Sequence, residues 1–420
     1  MVYARLFYKV VSLGKLLVVV NYILILSCFF YKILKLLSMF FSSLFSRRSV
    51  WCSSTPQNVQ DIVVGMSSGF TGADAVDARE HRLGVQLAIT EFNAMGGLRG
   101  RRMRLVTLDD KLSAPQAAAN AVTLITQYQA VALLLSRGTA RTQAMLPALA
   151  QHQVALVGPS TGAMEFHSPV DPFVFNVRTP YQREAENAVH HLVQQGAERL
   201  ALVHVDDSFG HDAALGALKG FEVTGLKSVL TAKFDRVRPD HQMLVKLIRV
   251  ARPDALLFVG AAPTIADGIV ALRDAGLALP VVTLSNNASA SFAKLLKGHE
   301  QKVLVTQAFP SERSLVLPLA QSTGKPSRSL KVGELTPAML EGYVAGKVLT
   351  IAVRRLGPHI NSETVMNALN ALSHFSVAGY AMQYSPANHS GFCHAEMGSM
   401  TANGLFVASQ PATAGHGKVR

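Results

Sequence analysis

Between Asp61 and Asn286 short apolar runs alternate with amphipathic stretches in one repeating order. The runs DIVVGMSS, MRLVTLDD, VALLLS, VALVGPST, LALVHVDD, LLFVG and VVTLS end at Ser67/Ser68, Asp109/Asp110, Ser136, Ser160/Thr161, Asp206/Asp207, Gly260 and Ser285. Runs apolar on both faces predict buried parallel strands, because crossover helices cover both sides of such a sheet. The first helix is expected from about Asp77 to Met95, stopped by Gly96-Gly97, with Leu83, Leu87 and Phe92 on its buried face. A second is expected after Pro115 and a third from an N-capping Thr139 to near His152.

FVFNVR at 173–178 predicts a further strand and opens a second set with the same grammar. Helix Gln182 to Gln195, strand 199–206, a helix after Gly210, VLTAKF, a helix over 240–250, LLFVG, a helix from Pro263 to Ala275 and VVTLS follow in turn. KVLVTQAFP at 302–310 reads as a strand leaving this set. Helices at about 336–355 and 362–372 and short strands near 380–384 and 392–396 come after it. Residues 320–335 read as a polar loop, and the tail after Pro411 as disordered. The fold class is therefore α/β, with two lobes traversed more than once, and ligands of open parallel sheets bind at the carboxyl ends of the strands. Hydroxyls, amides and glycines collect there, which suits holding a small molecule better than transforming it.

At 420 residues the chain has room for about two domains. Residues 1–57 contain no Asp or Glu but seven basic residues, so they carry more than half of the formal +13. No Lys/Arg cluster interleaved with aromatics follows, which removes the case for nucleic acid. Leu16 to Tyr31 is a continuous apolar run behind Arg5, Lys9 and Lys15, and a second run follows Lys32; this reads as an export signal or a membrane anchor. Cys28, Cys52 and Cys393 show neither zinc spacing nor a disulfide framework. His190-His191 is a poor metal pair, since adjacent helical residues face different ways. No metal or other cofactor is expected.

Eight stretches in order carry a family resemblance over residues 59–408. They are DIVVGMSSGFTG, GVQLAITEFNAMGGLRGRRMRLVTLDD, VALVGPSTGA, FVFNVRTPYQREAENAVHHL, RLALVHVDDSFGHD, PDALLFVG, LEGYVAGKVLTIAVRR and GYAMQYSPANHSG. The chain resembles the substrate-binding proteins of ABC transporters of the branched-chain amino acid (leucine/isoleucine/valine-binding) family, with the type I periplasmic binding protein fold. The resemblance implies two Rossmann-like lobes with a central ligand cleft, joined by three crossovers near Asn176 to Thr179, Thr306 to Pro310 and Val377 to Tyr380. Residues 58–177 plus 308–377 are expected to form lobe 1, and 178–307 plus 378–410 lobe 2.

By the same resemblance the ligand carboxylate rests on Gly138-Thr139 and Ser160-Thr161-Gly162. Free backbone N–H groups at a helix start beside small hydroxyls independently make an anion site. The other lobe contributes Phe209, Ser285 and Asn286. Two departures bear on the ligand. Amino-acid binders of the family hold the ammonium with an acidic residue where this chain has Ser285, and a cleft tyrosine falls among Ala261, Ala262 and Pro263. Without a carboxylate an ammonium would be desolvated at cost, so a neutral or carboxylate-bearing molecule with an apolar body fits better than an α-amino acid. Asp206 and Asp207 either supply the missing charge or cap the next helix.

The resemblance implies a periplasmic solute-binding component of an ABC importer, possessing no enzymatic activity, that closes about its ligand and meets the permease membrane subunits, with tethering through residues 1–57 as a further option. Two rivals come from other classes. Gly158-Pro159-Ser160-Thr161-Gly162 satisfies the G-x-S-x-G elbow of α/β-hydrolases, yet Pro169 and Pro172 follow where a helix is required. A ligand-sensing receptor domain acting with a separate signalling partner uses the same fold.

Overall fold

The computed structural model describes residues 60–309, 336–377, 380–392, 396–400 and 406–408. The expected signal or anchor at 1–57, the polar loop 320–335 and the tail 411–420 lie outside the described residues.

Five short runs pair into the first sheet. They are β1 (Ile62–Ser68), β2 (Met103–Asp109), β3 (Ala132–Leu134), β4 (Ala155–Val157) and β5 (Val174–Phe175). Their order is β2-β1-β3-β4-β5 and every pairing is parallel. The chain reverses its direction of winding at β1, so the crevice outside the carboxyl ends of β1 and β3 is where a ligand binds in such sheets. The second sheet contains β6 (Leu200–Val205), β7 (Leu230–Phe234), β8 (Ala255–Val259), β9 (Val281–Thr283), β10 (Val303–Gln307), β13 (Glu396–Met400) and β14 (Phe406–Ala408). Its order is β14-β13-β10-β9-β8-β6-β7, with β13 and β14 antiparallel.

Helix α1 (Ala75–Ala94) buries Ala78, Val85, Ala88, Ile89 and Phe92, whereas Leu83 is 41% exposed, against expectation. The reason is backbone proximity to the later helix α9 (Pro337–Arg354). A Cβ on Gly84 would stand 1.9 Å from the Met339 carbonyl oxygen, and one on Gly342 2.1 Å from that of His81. Where α9 approaches at Gly84, α1 has no room for a bulky side chain, and Leu83 is turned outward. Thr336 caps α9 by accepting from the Met339 N–H at 3.2 Å, and Pro337 stands in the first turn, where its missing N–H costs nothing.

The other helices are α2 (Ala114–Thr126), α3 (Thr139–His152), α4 (Tyr181–Gln194), α5 (Ser208–Thr224), α6 (His241–Ala251), α7 (Ala262–Asp274), α8 (Ala290–Leu295) and α10 (Ser362–Asn370). Helices α1, α9 and α10 share one core with β1, β3 and β4, while α4 and α5 share another with β6 and β8. Asp207 caps α5 by accepting from the Gly210 N–H at 3.0 Å, so this acid is a helix cap, and Asp206 pairs with Lys233 at the surface. Gly138, with φ of 86°, is the N-cap of α3, and Thr139 is its first helical residue.

The third crossover lies later than expected. β11 (Phe375–Val377) pairs with β12 (Tyr380–Met382), and Met382 and Tyr384 are buried in the core of the first lobe. Tyr384 donates to the Asn176 carbonyl at 2.9 Å, and His389 stacks on Phe175 with centroids 4.1 Å apart. Residues 380–392 therefore stay with lobe 1, and the strand that enters the second sheet is β13. The assignment of 378–410 to lobe 2 is corrected accordingly, because burying Met382 and Tyr384 on the first core holds this segment there.

Candidate functional site

The loops after β3 and β4 are held in register before any ligand is considered. Arg137 and Ser160 form a parallel bridge, the Ser160 N–H donates to the Ser136 carbonyl at 2.7 Å, and the Gly138 N–H donates to that of Ser160 at 3.2 Å. This brings Thr139 and Thr161 together, with their hydroxyls 3.0 Å apart and both residues buried. The first amides of α3 open beside them, since a helix start leaves such groups without intrahelical partners. Gly162 lets the first crossover pass over this pair. A Cβ there would stand 2.7 Å from the Thr179 carbonyl oxygen, and the Tyr181 N–H donates to the Gly162 carbonyl at 2.7 Å. Gly138, Thr139, Ser160, Thr161 and Gly162 thus share one wall.

The opposite wall comes from the second lobe. The Asn286 side chain donates to the Gly260 carbonyl at 3.0 Å, as Asn287 does at 3.1 Å, which ties the end of β9 to that of β8. The buried Oδ1 of Asn286 has no hydrogen-bond partner. Phe209, at the start of α5, packs edge-on against Tyr181 with centroids 4.7 Å apart.

Charged side chains absent from the expected site link the two walls. Arg178, on the first crossover, is 2% exposed. Its Nη1 donates to Glu341 of α9 at 3.4 Å, and its Nη2 donates to Glu184 of α4 at 3.1 Å and to the Ser285 hydroxyl. The guanidinium also lies 4.9 Å from the Tyr181 ring centroid. Glu341 accepts from the Ser160 hydroxyl at 3.1 Å and meets His81 Nε2 at 3.0 Å. An unbroken chain therefore runs from Ser160 through Glu341 and Arg178 to Ser285.

Glu184 places a carboxylate beside Ser285, where the sequence shows none. That group is fully buried and accepts from the Ser285 N–H at 3.0 Å, the Ser285 hydroxyl at 2.9 Å, the Thr306 hydroxyl at 2.5 Å and Arg178. Four donors to two oxygens satisfy it internally. Nearer the cleft mouth, Arg137 donates to Asp77 at 2.7 Å and reaches the Asn286 carbonyl of the other lobe at 3.4 Å. Asp77 in turn accepts from Ser291 at 3.4 Å.

Burial acts against ionisation of Glu341, but attraction to Arg178 and the contact with His81 override it and lower its pKa to about 2. Burial likewise opposes the charge of Asp74, which Arg137 and Arg141 nevertheless hold below the usual carboxylate range. Tyr181 is raised by burial, so its phenol stays protonated.

Ser160, His81 and Glu341 have the composition of a hydrolytic triad but the wrong geometry. Ser160 Oγ, at 3.5 Å, and Glu341 both address Nε2 of His81, while Nδ1 has no hydrogen-bond partner. A relay needs the base and the orienting acid on opposite ring nitrogens. No helix follows Ser160 either; only a single turn at Met164–Phe166 precedes α4. Among the described residues no group of three or more His, Cys, Asp or Glu side chains could hold a metal, and no helix is long and apolar enough to cross a membrane.

Residues 61–404 match a family model described as periplasmic binding protein. An amino acid binding protein of Pseudomonas aeruginosa is 26% identical over 222 residues, 52% of this chain. The chain spans 58% of the length of that relative. A possible leucine/isoleucine/valine-binding protein from Rhodopirellula baltica SH 1 superposes with a TM-score of 0.76 at 22% identity, over 86% of this chain and 100% of the other. A substrate-binding periplasmic protein from Ralstonia solanacearum superposes with a TM-score of 0.74 at 26% identity, over 83% of this chain and 100% of the other.

Proposed function

Since the chain belongs to the periplasmic binding protein family, we propose that it is the solute-binding component of an ABC importer, acting in the periplasm and delivering a small organic solute to permease membrane subunits. The observation that carries this reading is the chain of contacts from Ser160 to Ser285 through Arg178, because it joins two walls built at the carboxyl ends of parallel strands in two separate sheets.

The ligand carboxylate would rest on the first amides of α3 and the hydroxyls of Thr139 and Thr161, with Gly138 and Gly162 leaving room for close approach. Ser160 takes a different part from the one its position suggests. Its proton points at an ionised Glu341, so toward a ligand it offers an acceptor and not a donor. Phe209 and Tyr181 present an apolar surface for the ligand body, and the free Oδ1 of Asn286 would accept one hydrogen bond from it.

The acid beside Ser285 does not favour an ammonium. Glu184 is enclosed by four donors, and turning it toward a ligand would strip Arg178 of a buried partner. A monocarboxylate or amide with an apolar or aromatic body therefore matches the site better than an α-amino acid. Ligand bound to lobe 1 would draw lobe 2 over it, and only the added contacts with the second lobe shift the open and closed populations.

A thermal-shift screen of the full chain against amino acids, aliphatic and aromatic carboxylates, amides and polyols tests this, because a ligand specific to the native state raises the melting temperature. A rise with carboxylates or amides lacking an ammonium is expected. A rise with Leu, Ile or Val alone would show that Glu184 is released to the ligand and would overturn the assigned class.

A further inference from the structure

The end of the first lobe farthest from the cleft carries a dense set of exposed arginines. Arg99 and Arg102 are exposed on the turn between α1 and β2, and Arg104 is exposed on β2 itself. Arg354 and Arg355 are exposed at the end of α9, and the Arg354 guanidinium lies 5.2 Å from the ring centroid of Phe92, in the last turn of α1. The helix-end pair is accounted for by favourable interaction with helix carbonyl termini. These three arginines lie outside the helices, and Arg104 has a 4.0 Å contact with the exposed Asp61.

The Ile62 N–H donates to the Arg102 carbonyl at 2.7 Å, so this surface lies at the amino ends of β1 and β2. Seven residues of β1 separate it from Ser68 at the cleft, about 20 Å at the rise of a parallel strand. Anything bound here leaves the cleft clear. Gln60, where the described chain begins, lies in the same surface, since Arg101 Nε donates to its carbonyl at 2.8 Å. The sequence before Gln60 contains the apolar run Leu16 to Tyr31 and, through residue 57, no acidic residue.

We propose that this arginine surface docks on an anionic phospholipid membrane. Guanidinium groups match phosphate oxygens bidentately and shed their hydration more readily than ammonium groups. An anionic headgroup layer is the partner whose charge complements this surface. Each basic residue near such a layer raises partitioning about fivefold at moderate salt.

The test is co-sedimentation of the full chain with vesicles of phosphatidylcholine alone and of phosphatidylcholine with phosphatidylglycerol. The wild type is expected to prefer the anionic vesicles, and the variant Arg99→Gln/Arg102→Gln/Arg104→Gln/Arg355→Gln to lose at least tenfold of that preference, with binding to neutral vesicles unchanged. A control with the same loss of charge on lobe 2, Lys227→Gln/Arg238→Gln/Lys246→Gln/Lys294→Gln, is expected to keep it. The melting temperature of each variant checks folding. If the arginine variant retains the wild-type preference, the basic residues ahead of Gln60 suffice and the proposal fails. If the control loses as much as the arginine variant, only net charge matters and the proposal fails as well.

Discussion

Replacing Arg178 by Met tests the contact chain at its centre. The substitution keeps much of the side-chain volume and removes a guanidinium that faces two buried carboxylates, Glu184 at 3.1 Å and Glu341 at 3.4 Å. Removing one partner of a buried ion pair costs about 3–5 kcal/mol, because the remaining charge is left without compensation. The proton affinity of Glu341 gives a separate figure. Its pKa falls from 4.5 to about 2, which at about 1.4 kcal/mol per tenfold change is about 3 kcal/mol of stability from the ionised form. The two figures agree on scale. At about 2–4 °C per kcal/mol for domains of 150–250 residues, the melting temperature should fall by about 6–20 °C.

The pH dependence has a definite sign. A carboxyl whose folded pKa is depressed contributes stability that is present above its unfolded value and is lost as pH falls through the folded one. For Glu341 that window runs from about 4.5 down to about 2. Attraction to Arg178 is the largest influence lowering this group, so in the Met variant its folded value rises toward the unfolded one and the loss of stability between about pH 4.5 and about 2 should shrink. Urea unfolding monitored by circular dichroism across this range measures both effects. A variant with a wild-type midpoint at neutral pH and an unchanged acid limb would refute the assignment of Arg178 as the counter-charge of both acids.

Two further substitutions separate binding from folding. Thr161→Val removes the hydroxyl that meets Thr139 at 3.0 Å while keeping the shape of a fully buried residue; calorimetry should show affinity for the screened ligand about tenfold weaker, from roughly 1.4 kcal/mol for a lost hydrogen bond, with Thr161→Ser restoring it. Unchanged affinity in Thr161→Val would displace the anion site from this pair. Gly84→Ala forces α1 away from α9, since the new methyl would stand 1.9 Å from a backbone oxygen; scanning calorimetry should show a loss of about 1–3 kcal/mol or more, and a wild-type melting curve would mean that the helices pack farther apart.

The strands were the most legible part of the sequence because buried parallel strands carry unbroken apolar runs. Helix boundaries came close for the same reason, as at Pro337–Arg354 and His241–Ala251. The errors have physical causes. Leu83 was expected inside because bulky apolar residues usually are, yet the inner face of α1 admits only small residues where α9 approaches at Gly84. The third crossover was misplaced because Met382 and Tyr384 read alike whichever lobe buries them, and only the packing of Tyr384 and His389 around Asn176 and Phe175 decides between the two.

At the site, strand ends pointed to the loops but not to the ions between them. Arg178 meets Glu341 across 163 positions, and Glu184 meets Ser285 across 101, so no local pattern pairs them. One signal was nevertheless present. Tyr181, Glu184, Ala185, Ala188, Val189 and Leu192 recur at helical spacing, which puts Glu184 on the buried stripe of α4. A carboxylate on such a stripe cannot remain charged without a partner, and six residues earlier Arg178 follows the buried Val177. Each of these two charges is unfavourable in the core without the other. Ser285 then follows as a consequence: a second acid in its place would stand against Glu184 with Arg178 already shared, so the small hydroxyl that donates to Glu184 is the residue this core accommodates.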